Sequence, residues 1–237
     1  VTNRVRRESA GFLQSLDRFF AGQVDCFEEE LREPVRYALR HSGKRLRPIL
    51  VSFSSGLDPA GDDPEDLVRA AAVVEFVHLA TLVHDDILDG AEMRHRSETV
   101  SHLFGVNAAV LLGDALFAQA LQLASEFPTT EVCRLVSRAT RRVCAGEIEQ
   151  TLQGGRWHSD IDRYFRIIER KTAELFDVSC RLGMLIGAAE PNAVTAAGEF
   201  GRRIGRAYQI FDDVVDLVGD ESETGKTLGT DFASGKA

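Results

Sequence analysis

Residues 67–89, LVRAAAVVEFVHLATLVHDDILD, run about six helical turns without a glycine or a proline. A stretch of that length and period predicts a helix, stopped by Gly90. A helix so long needs its apolar surface covered by packing partners, and the chain supplies them. NAAVLLGDALFAQALQLASEF (107–127) is apolar nearly all round and ends at Pro128, which predicts a buried helix. TEVCRLVSRATRRVCAGEIEQTLQG (130–154) opens on a capping threonine and closes at Gly154. Residues 161–189 and 192–219 read as two more helices. ILVSFSSGL (49–57) resembles a strand, but a lone strand has no partner, so it is read as helix. The fold class is all-α: one domain of long, packed helices, without a linker.

The 67–89 segment carries an oddity. It ends in Asp85, Asp86 and Asp89, spaced i, i+1, i+4, and AYQIFDDVVDLVGD repeats that spacing with Asp212, Asp213 and Asp216. A helix C-terminus carries partial negative charge, so each carboxylate there costs about 0.3–1 kcal/mol. The i, i+4 like-charge pairs add a few tenths of a kcal/mol of repulsion. One such cluster is an ordinary solvated helix end. Two with identical spacing, each after an apolar run, call for a cation to offset them. Carboxylate oxygens without neighbouring cysteines or paired histidines suit a hard ion, Mg²⁺ or Mn²⁺. Mg²⁺ usually takes one or two protein carboxylates and completes its shell with water and phosphate oxygens. A phosphate-bearing ligand is therefore expected.

Basic residues agree with that. The chain is acidic, with a formal net charge of −9, which argues against nucleic-acid binding. Yet SGKRLRP (42–48) gathers Lys44, Arg45 and Arg47, and MRHR (93–96) sets Arg94, His95 and Arg96 just past the first acidic cluster. A basic pentapeptide alone is usually a solvated surface. Beside two metal clusters it reads as a second phosphate site without metal. His78 lies seven residues before Asp85, almost on the same helix face.

Four cysteines without a C-x-x-C pair (26, 133, 144, 180) predict free thiols in a reducing cytoplasm. No unbroken run of about 18 apolar residues is present, so no membrane span is expected. The start at Val1 and the stop after DFASGKA suggest that the native start and the closing part lie outside this chain.

At this point the residues resemble the trans-isoprenyl diphosphate synthases, the polyprenyl synthetase family. The resemblance rests on GKRLRP (43–48), VHDDILDGAEMRHR (83–96), the KT pair (171–172), YQIFDDVVD (208–216) and GKTLGTDFASGK (225–236). It implies a single-domain bundle of long antiparallel helices around a deep central cavity, of the isoprenoid synthase type. That domain would occupy residues 1–237 and lack its C-terminal helices. It implies three Mg²⁺ per site, held by Asp85, Asp89 and Asp212 and supported by Asp86, Asp213 and Asp216. Arg94, Lys171, Thr172, Gln209, Lys226 and Lys236 would contact the allylic diphosphate. Lys44, Arg47 and His78 would bind the diphosphate of isopentenyl diphosphate. His95 stands where the family has a second arginine for that substrate, with Arg96 the side chain able to replace it. The implied assembly is a cytoplasmic homodimer without stable membrane insertion.

The implied reaction is chain elongation. An allylic carbon loses diphosphate, the isopentenyl double bond attacks the cation, and a proton leaves. Metal and basic side chains stabilise the leaving group's charge. The rival of a di-iron bundle, from Glu75-x-x-His78 and Glu92-x-x-His95, needs two facing helices, and the short step across Gly90 does not allow a reversal. A terpene cyclase shares the first acidic motif but not this second one, and a non-catalytic synthase subunit typically loses aspartates. Within the family, chain length is read one turn before the first aspartates, at Ala80 and Thr81. Short-chain members place a bulky ring there. Small residues predict a product beyond twenty carbons, with farnesyl or geranylgeranyl diphosphate as the alternative.

Overall fold

The computed structural model describes residues 5, 7–57, 64–94, 97–152 and 160–218. Helices dominate these residues: α1 (Ala10–Gln23), α2 (Glu29–Arg40), α3 (Leu46–Ser54), α4 (Glu65–Leu88), α5 (Val100–Phe104) and α6 (Val106–Ser125). They continue with α7 (Thr130–Leu152), α8 (Ile161–Ile168), α9 (Glu174–Ile186) and α10 (Pro191–Val218). A 3-10 turn at Val24–Cys26 joins α1 to α2, and a π-helical turn at Glu169–Ala173 joins α8 to α9. The fold is all-α as expected, and the segment 49–57 is largely helix α3.

Helix α4 is the axis of the molecule. It packs against α1, α3, α6 and α9, and Ala70, Ala71, Val73, Phe76 and Ala80 are 0% exposed. Small residues let neighbours approach, while Phe76 fills the space beyond them. Its ring lies 5.1 Å from that of Phe20 on α1, edge to face. Deleting a ring so placed costs about 3–5 kcal/mol. Gly90, with φ +61°, adopts the left-handed conformation that ends the helix.

Three features depart from the sequence reading. Residues 161–189 are not one helix, because the π turn interrupts them. Met93–Arg94 and Ser97–Glu98 pair as a two-residue antiparallel ladder, with Met93 opposite Glu98. Helix α6 is not buried all round: Ala109, Leu112 and Leu116 face the core, but Val106 is 54% and Leu111 59% exposed. Helices α4 and α6 are each long and apolar enough to cross a membrane by length and composition, although charged and polar residues interrupt the apolar run in both. The most apolar window of α4 is 72% buried in protein, against 39% for α6.

Candidate active site

The first turns of α3 and the C-terminal half of α4 build one wall of a cavity of about 830 Å³. On α4, His78, Thr81 and Asp85 follow at i, i+3, i+7, which sets all three on that wall. The π turn contributes Lys171 and Thr172, α7 contributes Glu147, and α10 contributes Tyr208, Gln209 and Asp212. Residues far apart in sequence thus meet because four helices end, bend or cross at the same level.

The GKRLRP stretch enters α3 through two left-handed residues, Gly43 at φ +78° and Arg45 at φ +52°. Arg45 holds this bend. Its guanidinium donates to Ser42 Oγ at 3.0 Å and to the Leu39 carbonyl at 3.1 Å, pairs with Asp17, and covers the Phe20 ring. Arg47, two residues on, lies inside the cavity, where Nη1 donates to His78 Nε2 at 3.0 Å and the guanidinium stacks 4.8 Å from the Phe176 ring centroid. Burial lowers Arg47 to a pKa of about 10, although Glu75 and Tyr208 favour its charge. Burial, with Arg47 and Arg94 nearby, holds His78 well below its usual range, so the ring is neutral and Nε2 can accept that hydrogen bond. Lys44 also lines the cavity, at its exposed rim.

The acidic end has a different character. Asp85 is raised to about 6, first by burial and then by Glu147, against the pull of Lys171 and Arg94. Lys171 Nζ lies 3.4 Å from Asp85 Oδ2, pairs with Glu147, and donates to Gln150 Oε1 at 3.0 Å. Asp212 reaches the cavity from α10. Thr172 Oγ1 donates to Gln209 Oε1 at 2.7 Å, Gln209 Nε2 donates to Asp213 Oδ1 at 2.7 Å, and the Tyr164 hydroxyl donates to Asp213 Oδ2 at 2.5 Å.

The six aspartates therefore divide. Asp85 and Asp212 face the cavity. Asp86 is 5% exposed and accepts both Nε and Nη2 of Arg94 on Oδ1 at 2.7 Å, so it orients that arginine from behind the wall. Both oxygens of Asp213 are taken by Gln209 and Tyr164. Asp89 is exposed and Asp216 half-buried, and neither lines the cavity among the described residues. No three His, Cys, Asp or Glu side chains among the described residues converge as a ready-made metal cage. The lysine ammonium between Asp85 and Glu147 marks where positive charge is needed.

Thr81 lines the cavity and ties its hydroxyl to the His78 carbonyl at 2.7 Å. Ala80 does not share that wall; it is 0% exposed and packed in the hydrophobic core. His95, Arg96, Lys226 and Lys236 lie outside the described residues. Sequence reasoning missed Glu147 and Gln150, and it considered Glu75 only as half of an iron motif. Glu75 lines the same cavity, in line with His78 at i, i+3.

Residues 28–237 match the family model described as polyprenyl synthetase. The chain belongs to that family. It is 34% identical over 229 residues to heptaprenyl diphosphate synthase component 2 of Bacillus subtilis (strain 168), covering 92% of this chain and 65% of that protein. It is 33% identical over 228 residues to the short chain isoprenyl diphosphate synthase of Methanocaldococcus jannaschii, covering 94% of this chain and 68% of that protein. The crystal structure of polyprenyl synthase from Caulobacter crescentus CB15, complexed with calcium and isoprenyl diphosphate, superposes on 100% of this chain and 72% of that one. The TM-score is 0.87 and the identity 30%. The chain thus spans roughly two thirds of its relatives' length, and the fold is that of the isoprenoid synthases. Polyprenyl synthetases of different product length resemble it about equally.

Proposed function

We propose that the chain carries the active site of a chain-elongating prenyltransferase, which joins isopentenyl diphosphate to an allylic diphosphate. The observation that carries this reading is the pairing of two unlike poles in one cavity. Asp85 and Asp212 face it from α4 and α10, beside Lys171, while Arg47 and His78 form a basic pole without carboxylate clusters. The acidic pole suits a diphosphate escorted by metal, and the basic pole a diphosphate without one.

Asp85 and Asp212 would hold Mg²⁺, which when bound neutralises charge on a departing diphosphate. Lys171 and Thr172 would contact the same diphosphate, with Arg94 steered by Asp86. Arg47 and Lys44 would anchor isopentenyl diphosphate so that its double bond faces the allylic carbon. The new carbon–carbon bond takes the electrons of that double bond, and the proton then lost goes to the departed diphosphate. The helical walls around the cavity would limit the water able to quench the cation.

The product is expected to exceed twenty carbons, because Thr81, not a ring, borders the cavity one turn above Asp85. Mass spectrometry of products from isopentenyl and farnesyl diphosphates, made by the full-length protein, tests this. Thr81→Phe should shorten the product towards fifteen or twenty carbons while keeping the first condensation. Ala80→Phe, read from sequence as the shortening change, should instead overpack the core at about 1–3 kcal/mol. An unmodified enzyme that stops at fifteen or twenty carbons would refute the long-chain reading.

We also infer a homodimer. Leu103, Val106, Val110, Leu111 and Leu121 form an exposed apolar surface along α5 and α6, of the kind an interface covers. Light scattering should return twice the chain mass, and Leu111→Glu should reduce it to one. A second reading is a component of a heteromeric synthase, since two relatives are named component 2 of theirs. A homodimer that makes product alone would exclude it.

A further inference from the structure

Glu75 is the least explained group in the cavity wall. It is 1% exposed, and neither carboxyl oxygen has a hydrogen-bond partner. Its neighbour Arg47 has Nε equally enclosed and unpartnered. A buried carboxylate in that state is costly, and natural cores rarely keep one without use. The groups around it are defined. Arg45 and Arg47 act on it from the start of α3, and His78 from its own helix and Tyr208 from α10 border the same cavity. The acids on neighbouring helices are occupied elsewhere: Asp17 of α1 by Arg45, Asp177 of α9 by Arg181 and Arg202, and Glu147 of α7 by Lys171.

We propose that Glu75 is a positioning residue that tunes the Arg47–His78 subsite by exchanging a proton with solvent. While the subsite is empty, the carboxylate balances the enclosed guanidinium. When a diphosphate arrives, its charge replaces that balance, and Glu75 takes up a proton and stops repelling the ligand. This rests on reading the basic pole as a diphosphate site. Burial already raises the Glu75 carboxyl to about 7, with Arg47 and Arg45 pulling the other way, so a nearby anion needs to add little. Burial, Arg47 and Arg94 hold His78 neutral while the subsite is empty, so it does not supply the proton.

The test is calorimetric titration of the full chain with inorganic pyrophosphate in EDTA, at pH 7, in two buffers of different ionisation enthalpy. The wild type should take up about half a proton more per pyrophosphate than Glu75→Gln. The variant should bind pyrophosphate more tightly, by a factor near one at pH 6, about fivefold at pH 8 and about tenfold at still higher pH, the effect of roughly one unit of linkage. Equal proton uptake with a constant affinity ratio would overturn the role of Glu75 and leave the subsite standing. Failure of both proteins to bind millimolar pyrophosphate would overturn the subsite reading and the proposal with it. Should the variant not fold, infrared difference spectra of the wild type decide: a protonated carboxyl band must rise on adding pyrophosphate, and its absence rejects the exchange.

Discussion

Asp85→Ala or Asp212→Ala is expected to lower turnover by about 10³-fold or more without loss of the helical fold. Asp85 is half-buried at the end of an apolar helix, where its carboxyl is raised to about 6 because desolvation outweighs the attraction of Lys171. The position is unfavourable for folding, so its removal should not unfold the protein. On the proposed reading, what alanine removes is an oxygen that would hold metal at the acidic pole. The two aspartates come from α4 and α10 and face the cavity separately, so neither can stand in for the other. Steady-state rates at saturating Mg²⁺, with circular dichroism as the control for folding, measure the effect. Turnover near the wild-type value in either variant would remove the metal-site reading of these carboxylates.

The same two aspartates show what a sequence can disclose. They sit where helix physics disfavours them, at the C-terminal turns of apolar helices, and that misplacement is visible without coordinates. Helix α4 was legible for a related reason: 24 residues without an interruption leave little other choice. The division of labour among the aspartates was not legible. Asp86 and Asp85 are adjacent in sequence, yet a step of about 100° turns one to Arg94 and leaves the other on the cavity wall. The same step separates Thr81 from Ala80. Helical periodicity gives faces relative to each other but not which neighbour meets them. That is why α6 read as buried although part of its apolar surface is exposed. It is also why Glu147 and Glu75 passed as helix charges; only the approach of α7 and α3 brings Lys171 and Arg47 to them. The π turn left no trace, because one extra residue in a turn hardly disturbs the apolar spacing of 161–189.

That turn is the basis of the second large effect. Gly146→Ala and Gly205→Ala are each expected to reduce kcat by about 10²-fold, and Gly146→Ala should leave the KM for isopentenyl diphosphate within about twofold. The π turn at Glu169–Ala173 carries Lys171 and Thr172, and it is held between two helices that approach it at glycines. A Cβ on Gly205 of α10 would stand 2.6 Å from the Ala173 Cα and 3.1 Å from the Phe176 Cβ. A Cβ on Gly146 of α7 would stand 2.9 Å from the Arg170 Cβ and 3.0 Å from the Lys171 backbone nitrogen. These are contacts with backbone and the first side-chain carbon, which no rotamer change relieves, so the turn itself has to move. π turns recur at functional sites because the extra residue re-aims the side chains that follow. Displacing this one shifts the Lys171 ammonium relative to Asp85 and the Thr172 hydroxyl relative to Gln209. A displacement of about 1 Å is enough to cost the expected factor when positioning sets the rate. Alanine gains roughly 1 kcal/mol of helix propensity over glycine, which offsets part of the clash and favours a folded variant. Arg47 and His78 belong to α3 and α4 and do not ride on the turn, so in Gly146→Ala their substrate should bind as before, whereas Gly205→Ala also presses on Phe176, on whose ring Arg47 stacks. An unchanged kcat in either variant, or a KM for isopentenyl diphosphate that rises in step with the loss of kcat in Gly146→Ala, would show that the glycines serve packing alone.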